Sequence, residues 1–508
     1  MLKFKLVDQN IRNIPLNAEG ISNNVFKQVC DDPDNIFVSR PSKKALDEYS
    51  ENKSEDNAKK VWTNLLMDSI CLLKLNDKRE KLYADTSIFT FENGGINEFE
   101  SFFETIRKES TYGIDELSNY FNDFIKFESV LYGTGEYYRD HIHHVLEVWG
   151  IGVGLLEGLK SIDLKLNDGF LSKREDFHFQ ITNDTCKSIS RSEIWAMWVI
   201  IALCHDLGYP LEKASQINQK VRKIVNHFGT LNFNELNYNF DLLNSFLVEK
   251  YLNIVSSKAV LSSEHAKKCE SNECNKSQIH HTEIQPKYHD KISKSLEDYQ
   301  HGVLSGLLIF KKLTYFLETD YSDRNESLSC EDFRQFYIRK EMLRSICGHT
   351  CPKIYHIDLN TLSFLLIFCD ELQEWDRPRF NDLLKRKDSN NQKIEIREFS
   401  TEKIEANEVT NIDVLSQYVD IDIDDGNKEF IKNNIVRRKY RTLHYLLRSA
   451  KDDNLRKIKL KWEIKFKTQG FVYEFDSTKD SRQMHQSYSG VYSKHKKLER
   501  KDDVLLYE

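Results

Sequence analysis

One stretch decides the fold, Trp195-Ala-Met-Trp-Val-Ile-Ile-Ala-Leu-Cys204-His205-Asp206-Leu-Gly208-Tyr209-Pro210. Its first ten residues are apolar, which is typical of a helix that is buried on every side. A histidine, which binds metal ions, and a carboxylate, which can bridge two of them, follow where the helix gives way to a Gly-Tyr-Pro turn. The stretch therefore predicts a metal site at the end of a core helix.

The His-Asp dipeptide alone carries little information, because about one such pair is expected by chance in a chain of this length. A second pair, His289-Asp290, lies in a polar stretch and is interpreted as a solvated loop. The prediction of a site therefore depends on further ligands in other apolar segments.

An upstream segment supplies two histidines on one predicted helix face. His141 and His144 share that face with Val148, since residues three and four apart lie one above the other. His143 points away from the face and is assigned a structural role. Each histidine could instead be an ordinary core or surface residue, so the assignment depends on the whole set.

Downstream segments supply three more candidates. His301 heads the apolar run that ends at Ile309, and His349 lies at the end of a predicted helix that begins near Met342. Asp370 lies deep in an apolar helix, where a lone carboxylate would be costly to bury. A metal ion would relieve that cost.

The order of these residues resembles that of the HD superfamily of metal-dependent phosphohydrolases. In that family the metal histidine heads a His-x-x-x-Val pattern, matched by His144 to Val148, and the last ligand is an aspartate in a late apolar helix, matched by Asp370. The two intermediate histidines resemble the two-metal branch, which includes HD-GYP phosphodiesterases and myo-inositol oxygenase. The resemblance covers residues 130 to 380 approximately. It implies the metal ligands His144, His205, Asp206, His301, His349 and Asp370.

Imidazole and carboxylate ligands suit Mn, Fe, Co or Zn, with Mg possible. Asp206, as the bridge, could hold two such divalent ions about 3.5–4 Å apart and is predicted to be catalytic. His141 resembles the non-ligand histidine of cyclic-nucleotide phosphodiesterases and is the candidate general acid; a surface or capping role is the alternative. The candidate substrate-binding residues, each of which could also be an ordinary helix edge or core side chain, are Arg139, Lys213, Tyr209, Gln373, Trp375 and Arg377.

The pattern departs from the best-known relatives. Deoxynucleotide triphosphohydrolases of this superfamily usually carry a further histidine soon after the His-Asp pair, where this chain has Tyr209. The resemblance nevertheless implies hydrolysis of a deoxynucleoside triphosphate or related mononucleotide. The alternatives are a phosphodiesterase for a cyclic nucleotide, cyclic dinucleotide or oligonucleotide, a di-iron oxygenase, and a nucleotide-sensing module.

The composition is that of a large soluble protein. The chain has 508 residues, 40% of them hydrophobic, and a net charge of -7, so it can bury a sizeable core and has no global attraction to nucleic acid or anionic membrane. We see no apolar stretch near twenty residues and no signal-peptide core at the start of the sequence. These features predict a cytoplasmic protein without a membrane partner, which could form a homo-oligomer.

The predicted fold is mainly α, an HD-type helical bundle with a small α+β C-terminal domain. A helical segment (1–125) is expected to wrap the HD domain (126–384), which contains a polar insertion at about 262–292. Cys269, Cys274 and His280 in this insertion could close a zinc site, although the spacing matches no standard zinc knuckle.

The C-terminal domain (385–508) is predicted to be regulatory or to serve in oligomerisation. Alternation over Ile458–Phe466 and Phe471–Phe475 predicts a β-hairpin. A basic helix over 430–448 could bind nucleic acid or a partner protein, or could simply be solvated.

Overall fold

The computed structural model describes residues 39–83, 112–132, 140–158, 189, 191–228, 242–261, 280–318, 330–351, 361–373, 392–404, 407–418, 436, 456–466, 471–476 and 485–488. Over these residues the chain divides into two compact units, a helical one that ends at Cys369 and one that begins at Asp370. The predicted mainly helical fold is confirmed. That the helices form an HD-type bundle stays a prediction.

The described helices are α1 (Arg40–Glu51), α2 (Glu55–Tyr83), α3 (Ile114–Tyr132), α4 (Ile142–Gly158), α5 (Arg191–Cys204), α6 (Tyr209–Val225), α7 (Leu242–Ser256), α8 (Pro286–Glu297), α9 (His301–Lys312), α10 (Thr314–Leu317), α11 (Cys330–Gly348) and α12 (Leu362–Leu372). A 3-10 turn, Asn226–Phe228, follows α6. Strands β1 (Ser257–Leu261) and β2 (His280–Ile284) form an antiparallel pair between α7 and α8.

Helix α5 lies at the centre of the helical unit. Every residue from Trp195 to Cys204 is buried, and the helix packs against α2, α4, α9 and α11. Full burial of a large apolar side chain stabilises a fold by about 1.5–3 kcal/mol. A helix that is apolar on all sides therefore gains most where other helices surround it, and its C-terminal end carries the His-Asp pair.

One segment bears on the expectation that the chain has no apolar stretch near twenty residues. By length and composition alone, Glu193–Phe228 could cross a membrane. In the fold, 78% of its apolar window is buried, as expected for the core helix of a soluble protein. The segment is thus weak evidence for a membrane span, and the predicted cytoplasmic location stays a prediction.

The N-terminal helices reach the end of α5. Trp62 of α2 donates from Nε1 to the carbonyl of Leu203 at 2.8 Å, and the Tyr120 hydroxyl of α3 donates to the carbonyl of Leu207 at 2.5 Å. The last carbonyls of a helix have no partner within the helix. The described part of the 1–125 segment therefore does more than cover the bundle, because it satisfies acceptors on both sides of His205-Asp206.

The predicted polar insertion contains regular structure at its C-terminal end. His289 and Asp290, expected in a loop, lie instead in α8, where Asp290 accepts from Lys294 at 2.9 Å. Tyr288 and Ile292 of the same helix are buried. The loop prediction was wrong because a polar stretch with two apolar residues one turn apart also forms a solvated helix. Cys269 and Cys274 lie outside the described residues, and His280 begins β2.

The second unit contains a five-stranded sheet in the order β3-β4-β5-β6-β7. Neighbouring strands are antiparallel except β4 and β5, which are parallel. The predicted hairpin is confirmed as β5 and β6, with Trp462 opposite Phe475. The predicted basic helix over 430–448 falls outside the described residues apart from Val436. The strands are β3 (Gln392–Ile404), β4 (Asn407–Tyr418), β5 (Arg456–Phe466), β6 (Phe471–Asp476) and β7 (His485–Tyr488).

Candidate metal centre

Five of the predicted ligands lie together where helices of the first unit begin and end. His144 lies in the first turn of α4, His205 and Asp206 follow the last residue of α5, His301 is the first residue of α9, and His349 follows α11. They form two groups that could hold a metal ion, and the ligand atoms of each group lie within 4.8 Å of one another. The groups are His144 with His205 and Asp206, and Asp206 with His301 and His349.

Asp206 belongs to both groups, and each of its oxygens faces one pair of histidines. Oδ2 lies 3.3 Å from Nε2 of His205 and 3.7 Å from Nε2 of His144. Oδ1 lies 3.3 Å from Nε2 of His301 and 3.6 Å from Nε2 of His349. A carboxylate that offers one oxygen to each pair has the arrangement of a ligand shared by two ions.

The second ring nitrogen of three of these histidines is held away from Asp206. Nδ1 of His205 lies 2.8 Å from the Ala202 carbonyl, and Nδ1 of His349 lies 2.6 Å from the Ile346 carbonyl. Nδ1 of His301 lies 2.6 Å from Oε2 of Glu212. A partner on Nδ1 fixes the tautomer and directs the lone pair of Nε2 toward the centre.

The residues fit a divalent transition metal. Nε2 of His349 is buried and has no hydrogen-bond partner in the described part of the chain, and an ion at this position would satisfy it. Four imidazoles and one carboxylate suit Mn, Fe, Co or Zn better than Mg, which prefers oxygen ligands. The identity and the predicted number of ions stay predictions.

The pKa values of Asp206, His301 and His349 reflect a balance between burial, which disfavours the charged form, and contacts with oppositely charged groups of the cluster, which favour it. Burial alone would raise the pKa of Asp206, but the charge of His205 and the imidazoles of His205, His301 and His349 beside its oxygens hold this pKa well below its usual range. Burial would lower the pKa of His301, but its bonds to Asp206 and Glu212 raise it to about 10. Burial dominates at His349 and lowers its pKa. A bound cation would replace the proton on His301.

Two glycines allow the ligand-bearing segments to approach closely. A Cβ on Gly208 would lie 2.3 Å from the His301 carbonyl oxygen, and one on Gly302 would lie 2.6 Å from the Ile346 carbonyl oxygen and 2.8 Å from Nδ1 of His349. These distances exclude a side chain at either position unless the backbone moves. Gly208 thus allows the turn after α5 to lie against the start of α9, and Gly302 allows the start of α9 to lie against the end of α11.

Asp370, predicted as the last ligand, is placed differently from the expectation. It lies near the end of α12 and is partly exposed, whereas its neighbour Cys369 is buried. The argument from burial of a lone carboxylate was therefore wrong, because an apolar run does not fix which way a carboxylate near its end faces, and Glu371 follows Asp370 in the same helix. Within the described residues Asp370 is in neither ligand group, and its role as a ligand stays a prediction.

His141 lies beside the cluster and contacts a carboxylate and an aromatic ring. Its backbone N–H donates to Oε1 of Glu128 at 3.0 Å, and its Nδ1 lies 3.5 Å from the same oxygen. Its ring stacks on Tyr209 with 3.9 Å between centroids. The Lys213 ammonium lies 4.8 Å from the centroid of the Tyr209 ring, so the structure brings His141, Tyr209 and Lys213 together.

The remaining predicted residues fall elsewhere. His143 faces α1, where its Nδ1 lies 2.9 Å from the Tyr49 hydroxyl, in keeping with its assigned structural role. Gln373 is buried just after α12. Arg139, Trp375 and Arg377 lie outside the described residues.

Sequence reasoning missed the carboxylates that support the histidines. Glu128 and Glu212 each contact a predicted site histidine, His141 and His301, from a different helix. The one available signal was that Glu212 follows Asp206 by six residues on the same predicted turn and helix. Comparison with protein-family models, with curated proteins and with solved structures found no match.

Proposed function

We propose that this protein is a metal-dependent phosphohydrolase that acts on a nucleotide, with a deoxynucleoside triphosphate or related mononucleotide as the favoured substrate. The observation that carries the proposal is the position of Asp206, whose two oxygens face two pairs of imidazoles at 3.3–3.7 Å. Divalent ions held in this way supply Lewis acidity that activates water and neutralises phosphoryl oxygens. The choice of substrate follows the HD resemblance and not a residue contact.

His141 is the proposed proton donor to the leaving oxygen. It is adjacent to the ligands, with 6.3 Å between its ring centroid and that of His144, but it belongs to neither ligand group among the described residues. Glu128 can hold the orientation of the ring through Nδ1 and balance the charge of a protonated imidazole. Nε2 of His141 is the atom that would deliver the proton in this proposal.

Lys213 is the proposed partner of a substrate phosphate. Its side chain is 21% exposed, and its ammonium donates to Gln216 at 3.1 Å. Burial lowers the pKa of Lys213, while the nearby Glu212 carboxylate opposes that shift. A phosphate would meet the ammonium as a point charge beside the Tyr209 ring.

One observation favours a phosphodiesterase as the second candidate. Tyr209 stands where the resemblance to triphosphohydrolases would place a histidine, and its ring stacks on His141. The absence of that histidine at position 209 weakens the match to triphosphohydrolases and so favours a cyclic or diester phosphate as the substrate.

The test is turnover by the purified protein loaded with Mn, Fe or Co and given deoxynucleoside triphosphates, ribonucleoside triphosphates and cyclic nucleotides in separate reactions. We expect triphosphate and free nucleoside from the first class. Formation of a linear monophosphate from a cyclic nucleotide would instead favour the phosphodiesterase over hydrolysis of a deoxynucleoside triphosphate. Oxygen consumption without phosphorus turnover would contradict both and favour an oxygenase, and nucleotide binding without turnover would favour a sensor.

A matched pair of variants tests the proton donor. His141→Asn should lower kcat about 10²–10⁴-fold, the usual contribution of a general acid, with the bound metal unchanged. His143→Asn, two residues away and facing Tyr49, is the control and should keep the wild-type kcat. Equal activity of the two variants would exclude His141 as the donor.

A further inference from the structure

The two ligand groups are supported in different ways. His205 and His349 each direct Nδ1 to a backbone carbonyl three residues earlier in the chain, so their support is built into their own helix ends. His301 is the first residue of α9 and directs Nδ1 to a side chain of another helix, Glu212 of α6. The group that contains His301 therefore depends on a residue that is not a ligand.

Glu212 holds both the ring and the backbone of His301. Its Oε2 accepts from Nδ1 at 2.6 Å and from the backbone N–H at 3.1 Å. Its Oε1 accepts from Nε2 of Gln216, one turn later on α6, at 3.2 Å. The Glu212 side chain is 17% exposed, and its hydrogen bond with Gln216 limits the conformations that this side chain can adopt.

The contact also caps α9. The first N–H groups of a helix have no partner within the helix, and a carboxylate near them is favoured by the helix dipole. Gln300, at the N-cap position, makes no side-chain capping bond among the described residues. Glu212 takes this capping role from α6, and the hydroxyl of Thr350 accepts from the next N–H, that of Gly302, at 2.9 Å.

We propose that Glu212 is the positioning residue that completes the ion site formed by Asp206, His301 and His349, and that its charge strengthens the binding of an ion there. A carboxylate on the far nitrogen of a ligand imidazole fixes the ring and increases its electron donation to the metal, and removal of such a partner typically weakens metal binding about 10–100-fold. In the described contacts Glu212 holds His301, whereas His205 of the other group has its Nδ1 at the Ala202 carbonyl. The inference rests on the proposed metal centre but not on any substrate.

The test is the metal content and affinity of Glu212→Gln. The glutamine keeps the size and an acceptor oxygen but removes the charge, so α9 stays capped. We expect wild-type protein to bind two Mn²⁺ ions per chain in equilibrium dialysis. The variant should keep the first ion and bind the second about 10–100-fold more weakly.

Glu116→Gln is the matched control, because Glu116 accepts from Lys312 at the other end of α9 at 2.6 Å, on the surface. It should bind both ions as the wild type does. Should Glu212→Gln fail to fold by circular dichroism, Gln216→Leu removes the hydrogen bond to Oε1 of Glu212 together with the one that Gln216 accepts from Lys213. Neither Gln216 nor Lys213 contacts a ligand histidine in the described hydrogen bonds, and the affinity for the second ion should then fall about 2- to 10-fold.

Three results would overturn the inference: two ions bound by Glu212→Gln with wild-type affinity, loss of both ions from the folded variant, or a wild type that binds fewer than two. The proposed function fails separately, because a wild type that binds two ions and turns over no nucleotide would contradict the hydrolase and leave the role of Glu212 intact.

Discussion

Gly302 shows how single residues decide the geometry of the centre. A Cβ at this position would lie 2.6 Å from both the Ile346 carbonyl oxygen and Oγ1 of Thr350. We expect Gly302→Ala to lower the free energy of unfolding by about 1–3 kcal/mol, as overpacking does, and to weaken metal binding because His349 must move. Urea denaturation and Mn²⁺ titration measure the two effects.

The control is Gly306→Ala, one turn further along α9. There the new Cβ would meet the Tyr251 hydroxyl at 2.4 Å, away from the ligands. This variant should lose stability and keep its metal affinity. If Gly302→Ala binds Mn²⁺ as tightly as Gly306→Ala does, the close approach has no role in placing His349.

At the residue scale, the sequence predicted well which side chains lie together. It predicted poorly which neighbouring residues hold each of these side chains in place. The histidines and Asp206 were recognisable because titratable residues beside apolar helical runs are unusual. Glu212 and Glu128 were not, because a glutamate on a helix is ordinarily a solvated residue and its partner lies on another helix. Asp370 was recognised by the same signal as Asp206, but its orientation depends on packing that a one-dimensional pattern does not contain.

At the scale of elements, α5 is the scaffold on which the centre depends, and a side chain of α2 satisfies one of its last carbonyls. Trp62 is wholly buried, donates to Leu203 at 2.8 Å and stacks on Phe121 with 4.4 Å between centroids. Trp62→Phe removes the donor and part of the ring. We expect a loss of about 1–3 kcal/mol in the free energy of unfolding, measured by urea denaturation, together with weaker Mn²⁺ binding.

Trp198→Phe is the control for this prediction. Trp198 is also wholly buried and donates to a backbone carbonyl, that of Trp149, at 3.0 Å, but the acceptor does not adjoin His205. Both variants should lose stability, and Trp198→Phe should bind Mn²⁺ more tightly than Trp62→Phe. The reverse order would contradict the view that α2 holds the end of α5.

In the sheet, Glu463 of β5 makes a contribution to the free energy of unfolding that depends on pH. The hydrogen bond from Arg397, at 3.0 Å, lowers the pKa of this carboxyl from 4.5 to about 2. A lowered pKa in the folded state stabilises the fold above pH 4.5, and this stabilisation is lost as pH falls from 4.5 toward 2. The pair lies near the surface, so we expect a contribution of about 1 kcal/mol or less.

Chemical denaturation of Glu463→Gln at pH 7 and at pH 3 measures this contribution. The wild type should exceed the variant in stability at pH 7, and the difference should shrink at pH 3. Arg397→Gln should behave similarly. The double variant should lose less stability than the sum of the losses in the two single variants. A difference that is independent of pH would contradict the assigned contact.

At the scale of the whole molecule, the chain combines a helical unit that holds the candidate centre with a unit built on a five-stranded sheet. The mainly helical character and the β5–β6 hairpin were predictable, since both follow from apolar periodicity. Strand β4 was missed, because its buried residues Ile412, Val414 and Ser416 include a serine that weakens the alternation. The parallel pairing of β4 with β5 joins strands that are distant in the sequence, which local patterns do not specify.

The central claim is that one carboxylate, Asp206, is shared by two ion sites, and the metal content of Asp206→Asn tests it most directly. Its control is Asp290→Asn, which alters the other His-Asp pair of the chain on the solvated face of α8. After equilibration with Mn²⁺ and gel filtration, elemental analysis should find two ions per chain in the wild type and in Asp290→Asn, and none in folded Asp206→Asn. Ions retained at the wild-type level by Asp206→Asn would contradict the account.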